Sequence, residues 1–290
     1  MKPTIFVIML MAALLSACSG FANNPATAVP TSDPFATQPQ VAPALVSVPS
    51  TDLTIVAGEG STAVDQTVLS AAISNIQPGS LTTAEEDALR YMREEEKLAH
   101  DVYMTLYDQW HLPVFQNIAN SEQTHTEAVR TLLDRYSVPD PASVEVGVFT
   151  DQTLQDLYNQ LVQQGSQSLA EALKVGAAIE EIDILDLEER LAQTEKADII
   201  LVYDNLMKGS RNHLRSFVST LQTQSGETYQ PQYLSPDAYQ AIIGAPIESG
   251  GQGNPGGKGP RNGQPLNSFR KGYSMTTSSQ DNNPSFINRV

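Results

Sequence analysis

The sequence predicts an all-α protein, a four-helix bundle with one long crossover connection. Three observations predict it. Apolar residues recur at helical spacing over four long stretches, near 81–110, 114–136, 169–193 and 195–224. The breaks inside each pair are short, His111-Leu112-Pro113 in one and the turn at Thr194 in the other, so each pair folds back as antiparallel neighbours. About thirty residues separate the two pairs, enough to cross from one end of a bundle to the other.

Met1-Lys2 precedes an apolar run from Ile5 to Leu15 and then Leu15-Ser-Ala-Cys18, the three-part layout of a secretory signal. The run is too short to span a membrane. Leu-Ser-Ala-Cys resembles a bacterial lipobox, which implies a signal peptide over 1–17, lipidation of the Cys18 thiol and an extracytoplasmic protein lipid-anchored to a bacterial membrane. An ordinary cleaved signal with an incidental cysteine is the competing reading. Residues 18–52 are rich in Pro, Ala, Thr and Ser and read as a flexible linker. In the segment 53–80, Leu53 to Ala57 suits a short strand and Val64 to Ile76 a short helix; it is expected to pack on the domain or to remain loosely ordered.

The bundle is placed at 81–243. Thr82 to Glu85, or Thr83 to Glu86, forms a capping box for the first helix, which runs to about Trp110. The second runs from about Val114 to Tyr136, and Pro139 and Pro141 end that pair. The connection holds a short helix, Thr153 to Gln164, closed by Gly165. Ser168 and Glu171 make a second capping box, opening the third helix from Leu169 to about Gln193. Thr194 is expected to cap the fourth, Glu195 to about Gln224, stopped at Gly226. Ser235-Pro236 opens a last short helix to about Ile243. Residues 244–290 read as a disordered Gly/Pro/Asn-rich tail. Two hairpins with one long connection have the layout of ferritin-like bundles.

The chain of 290 residues carries 33 Asp+Glu against 17 Lys+Arg, a net −16. Segments 1–80 and 244–290 carry −3 and +3, which cancel, so the bundle holds the whole charge and nucleic acid is excluded as a partner. The single cysteine excludes an internal disulfide framework. No serine, cysteine or phosphate-loop motif supports hydrolase or nucleotide chemistry.

Candidate site residues are the ionisable groups that fall on apolar helix faces, where a charge needs a partner. Glu96 shares a face with Leu89, Met92, Ala99 and Tyr103 in the first helix, while Glu94 and Glu95 are expected to be solvated. In the second, Ile118-Ala-Asn-Ser-Glu-Gln-Thr-His-Thr-Glu-Ala-Val129 puts Glu122 and His125 at i and i+3, about 60° apart, able to reach one point. The third presents Glu180 beside Ile184, Leu187 and Leu191, with Asp183 and Glu181 as further metal-ligand candidates, and the fourth His213 between Leu206 and Phe217. These residue types suit iron, manganese or zinc, one or two ions per chain. Asp101 and Arg211 are candidates for holding an imidazole or carboxylate in place, against the plainer reading of surface ion pairs. His100 has the spacing of a further ligand but reads as a surface histidine, and His111 as exposed. Tyr103 and Tyr203 read as core aromatics and Trp110 as an anchor at a helix end.

Glu96-Lys-Leu-Ala-His-Asp-Val-Tyr103 resembles the first-helix motif of rubrerythrins, and Glu122-x-x-His125 their second. More closely, Tyr91 to Tyr103, Ser121 to His125, Ile179 to Ile184 and Gly209 to Arg215 are similar to an uncharacterised ferritin-like family, the domain of unknown function 2202, over about Leu81 to Ile243. The resemblance implies a metal-binding bundle, at its fullest di-iron or di-manganese, with iron oxidation or peroxide and oxygen scavenging as the activity. A non-catalytic extracytoplasmic binding module or a metal delivery protein is the alternative. Ser210 stands where a Glu would complete a second Glu-x-x-His, which puts the second ion in doubt. Glu180 and His213 also differ in depth by about 7 Å at helical rise, an offset that a kink at Gly209 would absorb. Without rubredoxin-like cysteine pairs an electron donor must come from elsewhere; a homodimer is left open.

Overall fold

A computed structural model describes residues 51–56 and 61–248. The expected signal peptide, Cys18, the linker up to residue 50 and the tail beyond Glu248 lie outside the described residues.

Among the described residues the protein is all-α apart from one hairpin. Strands β1 (Thr54–Val56) and β2 (Thr62–Val64) pair antiparallel, with Val56 opposite Thr62. Helices α1 (Gln66–Ser74), α2 (Thr83–Trp110), α3 (Pro113–Tyr136), α4 (Gln152–Gly165), α5 (Leu169–Leu191), α6 (Ala197–Ser225) and α7 (Pro236–Ile243) follow. Long helices α2 and α3 form one hairpin and α5 and α6 another, and the two pack through α2 on α5 and α3 on α6. Helix α4, in the connection, rests on α2 and α5. None of these helices is long and apolar enough to cross a membrane.

Local chemistry sets the ends. The first of the two possible capping boxes forms: Thr82 Oγ1 accepts from Glu85 N while Thr82 N donates to the Glu85 carboxylate at 2.8 Å. Asp151 caps α4, Ser168 caps α5 and Ser235 caps α7. Thr194 does not cap α6. That helix starts at Ala197 after Lys196, and Thr194 Oγ1 instead accepts from Lys196 N and donates to Glu85 at 2.7 Å, tying the turn to the start of α2. Gly226, at φ 75°, ends α6 as expected.

The segment before α2 is not loose. Leu53, Val64, Leu69 and Ile73 are buried in the same apolar cluster as Leu89, Val129, Leu132 and Val202. The strand β2, unforeseen, inserts against α3 and α6, with Val64 N donating to Thr124 Oγ1 at 2.8 Å and Leu53 N donating to Asn205 Oδ1 at 3.0 Å. Burial of those four side chains outweighs the segment's modest propensities. The start of the expected tail is also held: Glu248 pairs with Arg211 and Arg215.

The apolar core falls into two clusters. One gathers Val102, Phe115, Ile118, Leu173, Leu214 and Phe217; the other holds Met92, Val129, Leu187 and Leu206. Along α2, α3 and α6, buried Glu96, Glu122, His125 and His213 occupy the step where one cluster gives way to the other, and Glu180 and Asp183 of α5 lie near the same step. A buried polar layer therefore crosses all four long helices.

Candidate metal centre

At that layer Glu122 lies between two imidazoles. Its Oε2 is 2.9 Å from His125 Nδ1 and its Oε1 is 2.8 Å from His213 Nδ1. Glu96 Oε2 stands 3.4 Å from His125 Nδ1, and Glu180 Oε2 3.6 Å from His213 Nδ1. The rings stack with centroids 5.4 Å apart and planes 22° apart. Glu122, His125 and His213 each bring one donor atom within 4.8 Å of the others, the spacing a shared cation needs. All five predicted residues thus come together, and both imidazoles are wholly buried.

The depth offset between Glu180 and His213 is absorbed while α6 stays helical through Gly209. That glycine has another role. A Cβ built on it would lie 2.4 Å from His125 Cε1, so only a residue without one leaves room for the ring.

Around this centre the groups are incompletely satisfied. His125 Nδ1, His213 Nδ1, Glu122 Oε1, Glu96 Oε1 and Asp183 Oδ1 are buried without an aligned hydrogen bond, the close ring contacts notwithstanding. Glu95 is the surprise: it is buried, and both its carboxylate oxygens lack partners. The expectation that Glu94 and Glu95 are solvated fails because α2 is enclosed on several sides; Glu94 is buried as well, accepting from the amides of Thr150 and Asp151 at the start of α4. Tyr103 donates to Glu180 Oε1 at 2.6 Å and Ser210 Oγ donates to Asp183 Oδ2. Ser210, where the motif wants a Glu, thus serves as a donor to a carboxylate.

So many acids in one dry layer cannot all ionise. Burial pushes Glu96 up to about 7 despite His125, and burial with the Glu122 charge pushes Glu180 up to about 7. Burial also drives Glu95 and Asp183 well above the carboxylate range, reinforced by Asp186 and Asp183 for the first and by Glu96 and Glu180 for the second. Glu122 alone goes down: burial opposes its charge, but His213 and His125 overcome it. Burial disfavours a charged His125, yet Glu122 raises it well above the usual histidine value. His213 is drawn up to about 9 by Glu122 and Glu180 against burial. The Thr62 amide opposes that protonation, because it donates to His213 Nε2 at 3.2 Å, where a charged ring would carry a proton of its own. In the neutral ring that amide holds the lone pair on Nε2, which leaves the proton on Nδ1.

The model of the family described as uncharacterized protein domain DUF2202 matches residues 85–246. The chain belongs to the DUF2202 family. It is 49% identical over 179 residues to uncharacterized protein MJ0754 of Methanocaldococcus jannaschii, a match covering 61% of this chain and 96% of that protein. It is also similar to the crystal structure of hypothetical protein MJ0754 from Methanococcus jannaschii DSM 2661, at 48% identity and TM-score 0.59, over 60% of this chain and 99% of that one.

All five centre residues fall within the DUF2202 segment; of the remaining predicted residues of that segment, Asp183 lies in the same layer, held by Ser210, and Glu181, Asp101 and Arg211 lie elsewhere. Glu181, next to Glu180 but about 100° around the helix, accepts from the amides of Gln232, Tyr233 and Leu234 and anchors the approach to α7. Asp101 holds no imidazole of the centre; it accepts from Lys97 Nζ at 2.5 Å and from Gly147 N at 2.9 Å, fixing the connection, with His100 Nδ1 2.9 Å away. Arg211 forms a bidentate pair with Glu248 instead of steadying a ligand. His111 is exposed at the end of α2, and Trp110 Nε1 donates to Gly165 O at 3.0 Å. The groups that do steady the centre are Tyr103 and Thr62. Thr62 acts through its backbone, which no residue pattern announces.

Proposed function

We propose that this chain is a metal-binding protein of ferritin-like bundle type, distantly akin to rubrerythrins, holding one or two ions of iron, manganese or zinc, extracytoplasmic and tethered by a lipid on Cys18 to a bacterial membrane. The observation that carries the metal reading is the buried layer of two imidazoles and five acids, Glu95, Glu96, Glu122, Glu180 and Asp183, in which both imidazoles and every acid but Glu180 have an atom without a hydrogen-bond partner. A buried polar atom without a partner costs about 1–3 kcal/mol, more when charged, so the arrangement makes sense when a cation satisfies several of them together. The donor set fits: carboxylates and imidazole nitrogens suit these three ions. The paired hairpins with a long connection support the bundle type, and the Leu-Ser-Ala-Cys18 sequence supports the tether.

Glu122 and His125 hold the ion, with Glu96, Glu180 and His213 in reach. A bound redox-active ion would supply electron exchange with dioxygen or peroxide, which favours ferrous-iron oxidation or peroxide removal with an external electron donor. Tyr103 keeps Glu180 in place, and the two apolar clusters keep water from the layer. Metal storage or delivery without turnover is the second reading. It is favoured by the position of a cavity of about 500 Å³ between Leu112–Val114 and the Asn212–Gln224 face of α6, which none of the centre's residues lines.

The test is metal content by mass spectrometry after anaerobic loading with Fe²⁺, Mn²⁺ and Zn²⁺ in competition, beside a Glu122→Ala, His125→Ala double variant. Stoichiometric metal, lost in the variant, is expected. No retained metal in the parent chain would overturn the reading.

A further inference from the structure

Resting on that metal reading, we infer that the Thr62 peptide gives the two imidazoles different roles: His125 is the nitrogen ligand for the cation, and His213 keeps its Nδ1 proton and positions the shared Glu122 carboxylate. Thr62 touches both rings. Its carbonyl is 2.9 Å from His125 Nε2 and its amide 3.2 Å from His213 Nε2. A carbonyl can only accept and an amide can only donate. His125 therefore carries a proton on Nε2, so in its neutral form the Nδ1 electron pair is the one open to a metal, an outer acceptor fixing the tautomer. For His213 the logic inverts. Its Nε2 must present a lone pair to the amide, so the proton of the neutral ring sits on Nδ1, 2.8 Å from Glu122 Oε1. Ligation through that nitrogen would move the proton to Nε2 and point it at the Thr62 N–H.

The peptide is not free to turn over and exchange these roles. Thr62 pairs with Val56 in the hairpin, and its Oγ1 accepts from Asn212 Nδ2 at 2.8 Å. Its neighbour Ser61 bonds Ser121 Oγ at 2.5 Å and donates to Asn117 O at 3.0 Å. Gly209 supplies the space that seats the His125 ring near the Thr62 carbonyl. Thr62 lies on the N-terminal hairpin, outside the matched segment 85–246.

The chain has four histidines, so selective ¹⁵N labelling of the full-length protein resolves each ring's tautomer by long-range ¹H–¹⁵N correlation. Without metal, His213 is expected to show a protonated Nδ1 and an unprotonated Nε2. On adding Zn²⁺, only His125 Nδ1 should take the metal-bound shift. Thr62→Pro deletes the donating amide and keeps the carbonyl, and is expected to move His213 toward the Nε2 proton and let it take zinc as a second imidazole. The metal-free and zinc-loaded parent chain by itself decides the matter if the proline variant does not fold. A protonated His213 Nε2 in the metal-free parent, or zinc shifts on both rings of the parent, would overturn the division of roles. No zinc-dependent shift at all would instead overturn the metal reading, and His125's role with it.

Discussion

Replacing Gly209 by alanine in an ordinary helix interior would stabilise the protein by roughly 0.5–1 kcal/mol. Here the reverse is expected. The added Cβ would stand 2.4 Å from His125 Cε1, 2.7 Å from Nε2 and 3.4 Å from the Thr62 carbonyl. Relief needs the ring to withdraw by about 1 Å, and a fully buried imidazole stacked on His213 has little room to do so. Overpacking of this kind costs about 1–3 kcal/mol, and losing the bond to Thr62 adds about 1 kcal/mol. Against the propensity gain the net is a loss of about 1–3 kcal/mol, which for a domain of this size lowers Tm by roughly 2–12 °C. Calorimetry of metal-free Gly209→Ala beside the parent reads the sign directly, and zinc uptake should fall with it. A variant of equal or higher Tm with unchanged uptake would refute the close packing of Gly209 on His125.

Three further outcomes follow from the same contacts. Glu181→Ala should cost about 1–3 kcal/mol, chiefly by leaving the buried Leu234 amide unpaired, since Gln232 and Tyr233 are open to water; hydrogen exchange at 232–234 should quicken while metal uptake holds, and lost uptake with normal exchange would make Glu181 a ligand after all. Tyr103→Phe removes the donor to Glu180, with an expected loss of about 1–3 kcal/mol in urea denaturation of the metal-free chain. An unchanged midpoint would mean that Glu180 finds another donor. Asp101 sits below its ordinary value: burial pushes it up, but hydrogen bonds from His100, Lys97 and the Gly147 amide outweigh burial. Its stabilising contribution is therefore complete above an unfolded value of about 3.9 and is lost as pH falls through the lower folded value. The stability difference between parent and Asp101→Asn should shrink as pH drops below about 4, and a difference that is flat from pH 6 to 3 would contradict the assignment.

Several features were legible in the residues because their causes are local. Helical periodicity, the Thr82–Glu85 box, Ser168, Pro113 and Gly226 act within a turn or two of where they stand, so the four long helices and most of their ends could be read directly, the start of α6 excepted. Glu96, Glu122, His125, Glu180 and His213 could be picked out because each interrupts an apolar face, a property of one helix at a time. Neighbouring residues were harder. Glu180 and Glu181 both border apolar residues, and the sequence leaves their roles open; the loop over α5, which offers three amides to Glu181, separates them. Likewise a single helix can solvate Glu94 and Glu95, and only enclosure of α2 by its neighbours buries them.

By itself the sequence determined the all-α class, the order and approximate extent of the long helices, the acidic domain and the ionisable residues that need partners. Tertiary structure alone decided that β2 enters the layer, that Ser210 and Tyr103 serve carboxylates, that Gly209 makes room for a ring, and that Asp101 and Arg211 work elsewhere. The reason is physical. Periodicity encodes which face of a helix is buried, but a hydrogen bond from a backbone such as that of Thr62 depends on where distant segments meet, and every residue type except proline carries the same amide and carbonyl.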